Sequence, residues 1–219
     1  MCCYCELVNY IKESQINPAE WVLAIFTVVL AYAAVKQLRD IQDFIKSNKV
    51  FNQVQLAEDS IVKQIEFHYK ILEGIETEGA KRHAAFRIIY NNLMGTYKSD
   101  LATYANPKER IGATFKKLDL EYGYLLRHYY RNLYRIFKEI DETTIDGFDK
   151  NHYAKLVRAQ LSEYEILLLF YNCIWVGDED KFVKLVENYE LLEGIDYKSL
   201  LEPDHYKLYS EKAFGVDFI

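Results

Sequence analysis

Glycine and proline are scarce, at 9 and 3 of 219 residues. So few chain-bending positions exclude a turn-rich sandwich or barrel and leave long helices. Cysteine is scarce too, and three of the four stand together as Cys2, Cys3 and Cys5. They make no disulfide framework, no His follows at zinc spacing, and a bare CCxC assigns no ligand. Positive charge is in deficit, with 27 Lys and Arg against 33 Asp and Glu. Broad electrostatic binding of nucleic acid is therefore not expected, although a local basic patch stays open. No GxGxxG, Walker loop, HExxH or GxSxG occurs, so no cofactor and no metal is expected. What is abundant is apolar and aromatic surface. Half of the residues are apolar and 19 are Tyr, whose rings can fill a core while each hydroxyl finds a partner.

One long apolar run stands out. From Trp21 to Val35 no residue is charged, and Trp21, Val22, Leu23, Ile25, Phe26, Val28, Val29, Leu30 and Val35 supply most of its bulk. Fifteen helical residues cover about 22 Å, and extension back through Asn17 brings the run to about 19 residues, a spanning length. Asn17 is a good N-cap and Pro18 suits the first helical position. A buried core helix would carry a polar face, which is missing here. A cleaved signal would begin earlier and end in a clearer small-x-small site than Ala31-Tyr32-Ala33. A retained single-pass helix over residues 18–36 is the expectation. Lys36, Arg39, Lys46 and Lys49 follow the run, whereas only Lys12 precedes it, so residues 1–17 form a short translocated tail and the rest is cytoplasmic, on the inner membrane.

Beyond the run, Leu38, Ile41, Ile45, Val54, Ile61, Ile65, Leu72 and Ile75 roughly continue a helical stripe, predicting a stalk over 37–78. That stripe serves either as an oligomer seam or as a face packed on the downstream domain. GIETEG, residues 74–79, reads as a turn, and residues 79–219 form a helical domain. Helices are expected at 81–98, at 111–139 with an interruption near Gly123, at 151–174, and at 179–192 after a Gly177 stop and an Asp178 cap. No strand of useful length alternates. The fold class is all-α.

Two polar stripes are the candidate functional positions. A step of 100° per residue places His128, Arg131, Asn132 and Arg135 on one side of the segment HYYRNLYRIFKEID. In RAQLSEYEILLLFYN, Arg158, Ser162, Glu165 and Asn172 share a stripe. If the two face each other, Glu165 neutralises one of the three arginines, or the group receives an anionic ligand. The plainer alternative is two solvated helix faces. His128 is a candidate base without a nucleophile or metal partner in the spacing. None of the five histidines has an Arg five to seven residues before it, so the Arg-x(4–6)-His pattern of HEPN-type ribonucleases is absent.

Four blocks carry a resemblance: GAKRHAAFRIIYNNL, LLRHYYRNLYRIFKEID, YAKLVRAQLSEYEILLLFYN and KFVKLVENYELLEGI. In these the chain resembles the bacterial family of putative phage abortive infection proteins. The resemblance implies anti-phage defence and membrane-anchored members with a helical cytoplasmic domain. It carries His128, Arg131, Arg158, Gln160, Ser162 and Glu165 over as motif positions without roles. The expectation is a defence protein that oligomerises in the membrane when infection is sensed. The alternatives are an enzyme acting on RNA or a nucleotide through the His128/Arg131/Arg158 stripe, and a sensor or scaffold working with another defence protein or a phage component.

Overall fold

The computed structural model describes residues 17–176 and 181–215. They form two compact units, divided between Gln53 and Val54. Cys2, Cys3, Cys5, Lys12, Gly177 and Asp178 lie outside the described residues.

Helix α1, Pro18–Glu73, opens in the first unit. The Asn17 side chain accepts from the Ala19 N–H at 3.1 Å, and its carbonyl accepts from Glu20 N at 2.8 Å, the cap expected there. Every residue from 17 to 49 is exposed. Thr27 Oγ1 donates back to the Leu23 carbonyl at 2.8 Å, so this hydroxyl is satisfied inside its own helix. This part of α1 is long and apolar enough to cross a membrane, and none of its apolar window is buried.

The second unit begins inside α1, whose last turns bury Ile61, His68 and Leu72. Gly74 closes the helix through bonds to the Lys70 and Ile71 carbonyls. The expected GIETEG turn is a two-residue hairpin between β1, Glu76–Thr77, and β2, Ala80–Lys81, paired Glu76 to Lys81 and Thr77 to Ala80. Glu78 and Gly79 both take positive φ, at 49° and 77°, as the tightest hairpin turns require. Helix α2 spans His83–Ser99. It starts two residues later than the periodicity suggested, because Arg82 sits at φ 54° and breaks the helical backbone.

Asn106 caps α3, Pro107–Glu142, by accepting from Lys108 N at 2.9 Å, with Pro107 at the first helical position. Asn106→Ala should cost about 1 kcal/mol, read as a lower urea midpoint with unchanged slope. An unchanged midpoint would mean that the cap is not made. Helix α3 runs straight through Gly123. The Asp119–Arg127 pair lies over this residue, and a Cβ there would stand 2.3 Å from Asp119 Oδ1. Gly123 therefore permits a close approach and interrupts nothing.

The expected 151–174 helix is two helices, α4 at Lys150–Arg158 and α5 at Glu163–Val176. Asp149 caps α4 by accepting from His152 N at 3.0 Å. Between the two helices Glu165 reaches back to the Ser162 N–H at 2.7 Å, half of a capping box that starts a new helix. Helix α6, Lys181–Asn188, is followed by three 3-10 turns at Tyr197–Ser199, Pro203–Leu208 and Glu211–Phe214.

Helices α2, α3 and α5 pack on one another. Helix α5 is buried from Glu165 through Tyr171, which is why it shows apolar residues nearly all round. The tyrosines do what their composition suggested. Tyr90 donates to the Ser199 carbonyl at 2.5 Å and Tyr209 to the Phe170 carbonyl at 2.8 Å. Near the C-terminal turns, buried Arg110 donates to Tyr97 and Glu202 at 3.1 and 2.8 Å, and Tyr97 and Tyr171 flank His205. Burial pushes the His205 imidazole pKa down, against the pull of Glu202.

Candidate functional site

The two polar stripes do not assemble as one site. His128, Arg131 and Arg135 are exposed on α3. His128 lines an open hollow with Phe67, Lys70 and Tyr124, and Arg135 lines a groove with Gln64 and Glu139. Arg158, at the end of α4, donates to the Glu190 carbonyl at 2.8 Å and pairs with Glu193. Asn172 is half-buried on α5. Only Asn132, Gln160, Ser162 and Glu165 lie at or beside a common place, and three residues outside the stripes complete it.

Glu165 is 1 % exposed and none of its hydrogen-bond partners is an arginine. Oε1 accepts from the Tyr129 hydroxyl at 2.5 Å. Oε2 meets His83 Nδ1 at 2.6 Å and accepts from both the N–H and the hydroxyl of Ser162. Tyr130 donates to the Glu165 carbonyl at 2.9 Å. Burial first, and then the Glu165 charge, push both phenols well above their usual pKa of 10, so they remain donors. Such charge-assisted bonds are the strong ones, and together they fix the carboxylate rigidly. His83 is less enclosed, with 46 % of its side chain exposed at the start of α2.

His68, from α1, lies beside this group. Its ring sits 4.4 Å from that of Tyr129, and its Nδ1 meets Asn132 Nδ2 at 3.1 Å. Its Nε2 has no hydrogen-bond partner among the described residues, although the residue is only 6 % exposed. A buried group left so costs about 1–3 kcal/mol. Burial lowers the His68 pKa from 6.5 to about 4, with Glu165 opposing the shift. The sign follows directly. Between about pH 4 and 6.5 the unfolded chain binds a proton at His68 that the folded chain does not. Stability is therefore full above that window and falls as pH drops through it, by about 3 kcal/mol in all. Urea midpoints at about pH 7.5 and about pH 4.5 should differ more for the wild type than for His68→Phe, and equal differences would refute the assignment.

A cavity of about 50 Å³ joins these parts. His68, Tyr69, His83, Tyr129 and Gln160 line it, and Ile65, Leu72, Ile136 and Val157 give it apolar walls. Arg82, just before His83, has φ 54° and ψ −133°, a region costing a side-chain-bearing residue about 1–3 kcal/mol. Its guanidinium is held by Glu73 at 2.7 Å and lies over the Tyr69 ring. Among the described residues no group of three His, Cys, Asp or Glu gathers as a metal site.

The motif positions meet this geometry at Gln160, Ser162 and Glu165, all inside the RAQLSEYE string. Residues 121–200 match the family model of the putative phage abortive infection protein. No curated protein and no solved structure matches the chain. The abortive-infection match supports a role in phage defence. It takes in the second half of α3 and all of α4 to α6, hence Tyr129, Asn132, Arg158 and Glu165. Helix α1 and His83 lie outside the abortive-infection segment, so whatever they do must be argued from this chain alone.

His68, His83 and Tyr129 escaped the sequence reading. His83 stood in plain view in GAKRHAAF, but nothing local couples it to a carboxylate 82 positions away. The Ser162-x-x-Glu165 spacing was the one usable signal, since it marks a helix start and a carboxylate turned back toward it.

Proposed function

We propose that the chain is a single-pass, membrane-anchored defence protein that self-associates on infection and perturbs the inner membrane. The observation that carries this reading is the first part of α1, where residues 17–49 are all exposed and Trp21–Val35 is uncharged. An apolar surface of that length, left uncovered in water, marks an interaction with a membrane or a partner. The excess of Lys and Arg after the span favours a cytoplasmic helical domain. One helix cannot line a pore, so the proposed action requires several copies, and a second copy of this chain is the simplest source.

Cells carrying the protein should lose membrane potential after phage challenge, before phage release, and cross-linking should trap multimers at the same time. Dying cells with an unchanged potential would remove the membrane action. Strong toxicity on overexpression of this chain alone is also expected, because a sensor or scaffold lacking its effector would be harmless.

A further inference from the structure

The apolar stripe expected along α1 divides in the structure. Ile61 and Leu72 are packed inside the second unit, whereas Leu38, Ile41, Phe44, Ile45 and Phe51 in the first are 54 to 66 % exposed. A step of 100° per residue places these five within an arc of about 140°, with Asn48 near its centre. The charged residues of this stretch, Lys36, Arg39, Asp40, Asp43, Lys46 and Lys49, all fall in the rest of the circle.

A helix with one apolar and one charged side is built to have the apolar side covered. The chain does not cover it, since every residue from 17 to 49 is exposed. The bilayer does not reach far enough either. Helix α1 runs unbroken through this stretch, with no Pro or Gly after Pro18 to turn it aside. At 1.5 Å per residue Phe44 lies about 14 Å, and Phe51 about 24 Å, beyond Val35, the last residue of the uncharged run. The headgroup layer is only roughly 5–8 Å deep.

We propose that this stripe is a seam at which a second copy of the same chain docks, parallel and in register. The anchor sets that geometry, because two spans inserted the same way bring identical stalk positions to the same distance from the bilayer. One patch then meets itself across a two-fold axis. Its arc holds no charge, so closing it on its own counterpart brings no like charges together. Five side chains so exposed offer roughly 100 Å² each, hence about 1,000 Å² over both copies, enough for a specific interface. Asn48 faces its own counterpart there. An amide at such a position costs stability and fixes register, since a slipped pairing leaves it buried without a partner. The seam rests on the anchored reading above and supplies the contact through which self-association starts.

The test uses the full chain carrying Cys2→Ser, Cys3→Ser and Cys5→Ser, reconstituted into vesicles of phosphatidylethanolamine and phosphatidylglycerol over a series of protein densities. Buried Cys173 stays in place. Density stands in for the infection signal, because association follows mass action. Oxidation by copper phenanthroline of Ile41→Cys or Asn48→Cys should give at least about tenfold more linked dimer than Asp43→Cys or Lys46→Cys, on the charged side. Adding Ile45→Glu to Asn48→Cys should remove the linked dimer, since two carboxylates would meet inside the seam. Adding Ser47→Glu should leave it. Equal linking at the four positions, no linking at 41 and 48, or linking that survives Ile45→Glu overturns the seam. Flotation with the vesicles reports the anchor separately. A chain that floats and links nowhere loses the seam alone, and one that does not float loses both.

Discussion

Replacing Phe26 and Val29 together by lysine is expected to move the protein from the membrane fraction to the soluble one while the helical domain stays folded. Each lysine near the middle of a spanning helix costs about 2.5–3.5 kcal/mol on an insertion scale. Two of them exceed about 5 kcal/mol, more than a thousandfold in partition. Both residues are exposed, and nothing from 17 to 49 is buried, so the substitutions remove no core contact. The outcome separates two kinds of helix. A lipid-embedded segment changes compartment and leaves the thermal transition of the domain in place. A segment covered by its own protein stays where it was and unfolds. Carbonate-washed membranes report the first and circular dichroism the second. Unchanged retention in washed membranes would sink the anchored reading.

Glu165→Ala is expected to destabilise the helical domain by about 3–5 kcal/mol, because each buried donor left without an acceptor costs about 1–3 kcal/mol. The cost comes from what is left behind. The Tyr129 hydroxyl, the Ser162 N–H and His83 Nδ1 all lose their acceptor in one change, and the first of these belongs to a fully buried side chain. Set against a typical total of about 5–15 kcal/mol, that loss leaves a domain that melts far earlier or does not fold at all. Ser162→Ala should cost only about 1 kcal/mol, since Glu165 keeps the backbone N–H of residue 162 along with its other donors. Chemical denaturation of the two variants measures both numbers. A loss below about 1 kcal/mol for Glu165→Ala would show that the network is not made in solution. The same network accounts for the three-residue spacing of Ser162 and Glu165, neither of which is an arginine's partner.

Much of the architecture was legible because its causes are local. Asn17 announces a helix start by side-chain chemistry that acts within three residues, and the same chemistry at Asn106 and Asp149 starts α3 and α4 ahead of the expected 111 and 151. Opposite the polar stripe of HYYRNLYRIFKEID, 100° per residue places Tyr130, Leu133, Phe137 and Ile140 on one apolar face, and all four are buried. Where local reading fell short, a second local signal competed with the first. At 159–162 the apolar period continued through a chain break that the Ser162–Glu165 box imposes. At Gly123 a helix-weakening residue was kept for the space it leaves to Asp119 and Arg127.

By itself, then, the amino-acid order determined that the chain is all-α, that one apolar stretch is long enough for a bilayer, and that Tyr130, Leu133, Phe137 and Ile140 of α3 turn inward. Only the tertiary structure decided that Glu165 meets His83 instead of an arginine, that Asn132 leaves its stripe to hold His68, and that two histidines line one cavity. The physical reason is range. Backbone geometry and caps act over a few residues and set a side chain's direction. Which side chain waits there depends on how α1, α2, α3 and α5 cross, and on the register in which their buried surfaces fit, a property of all four together.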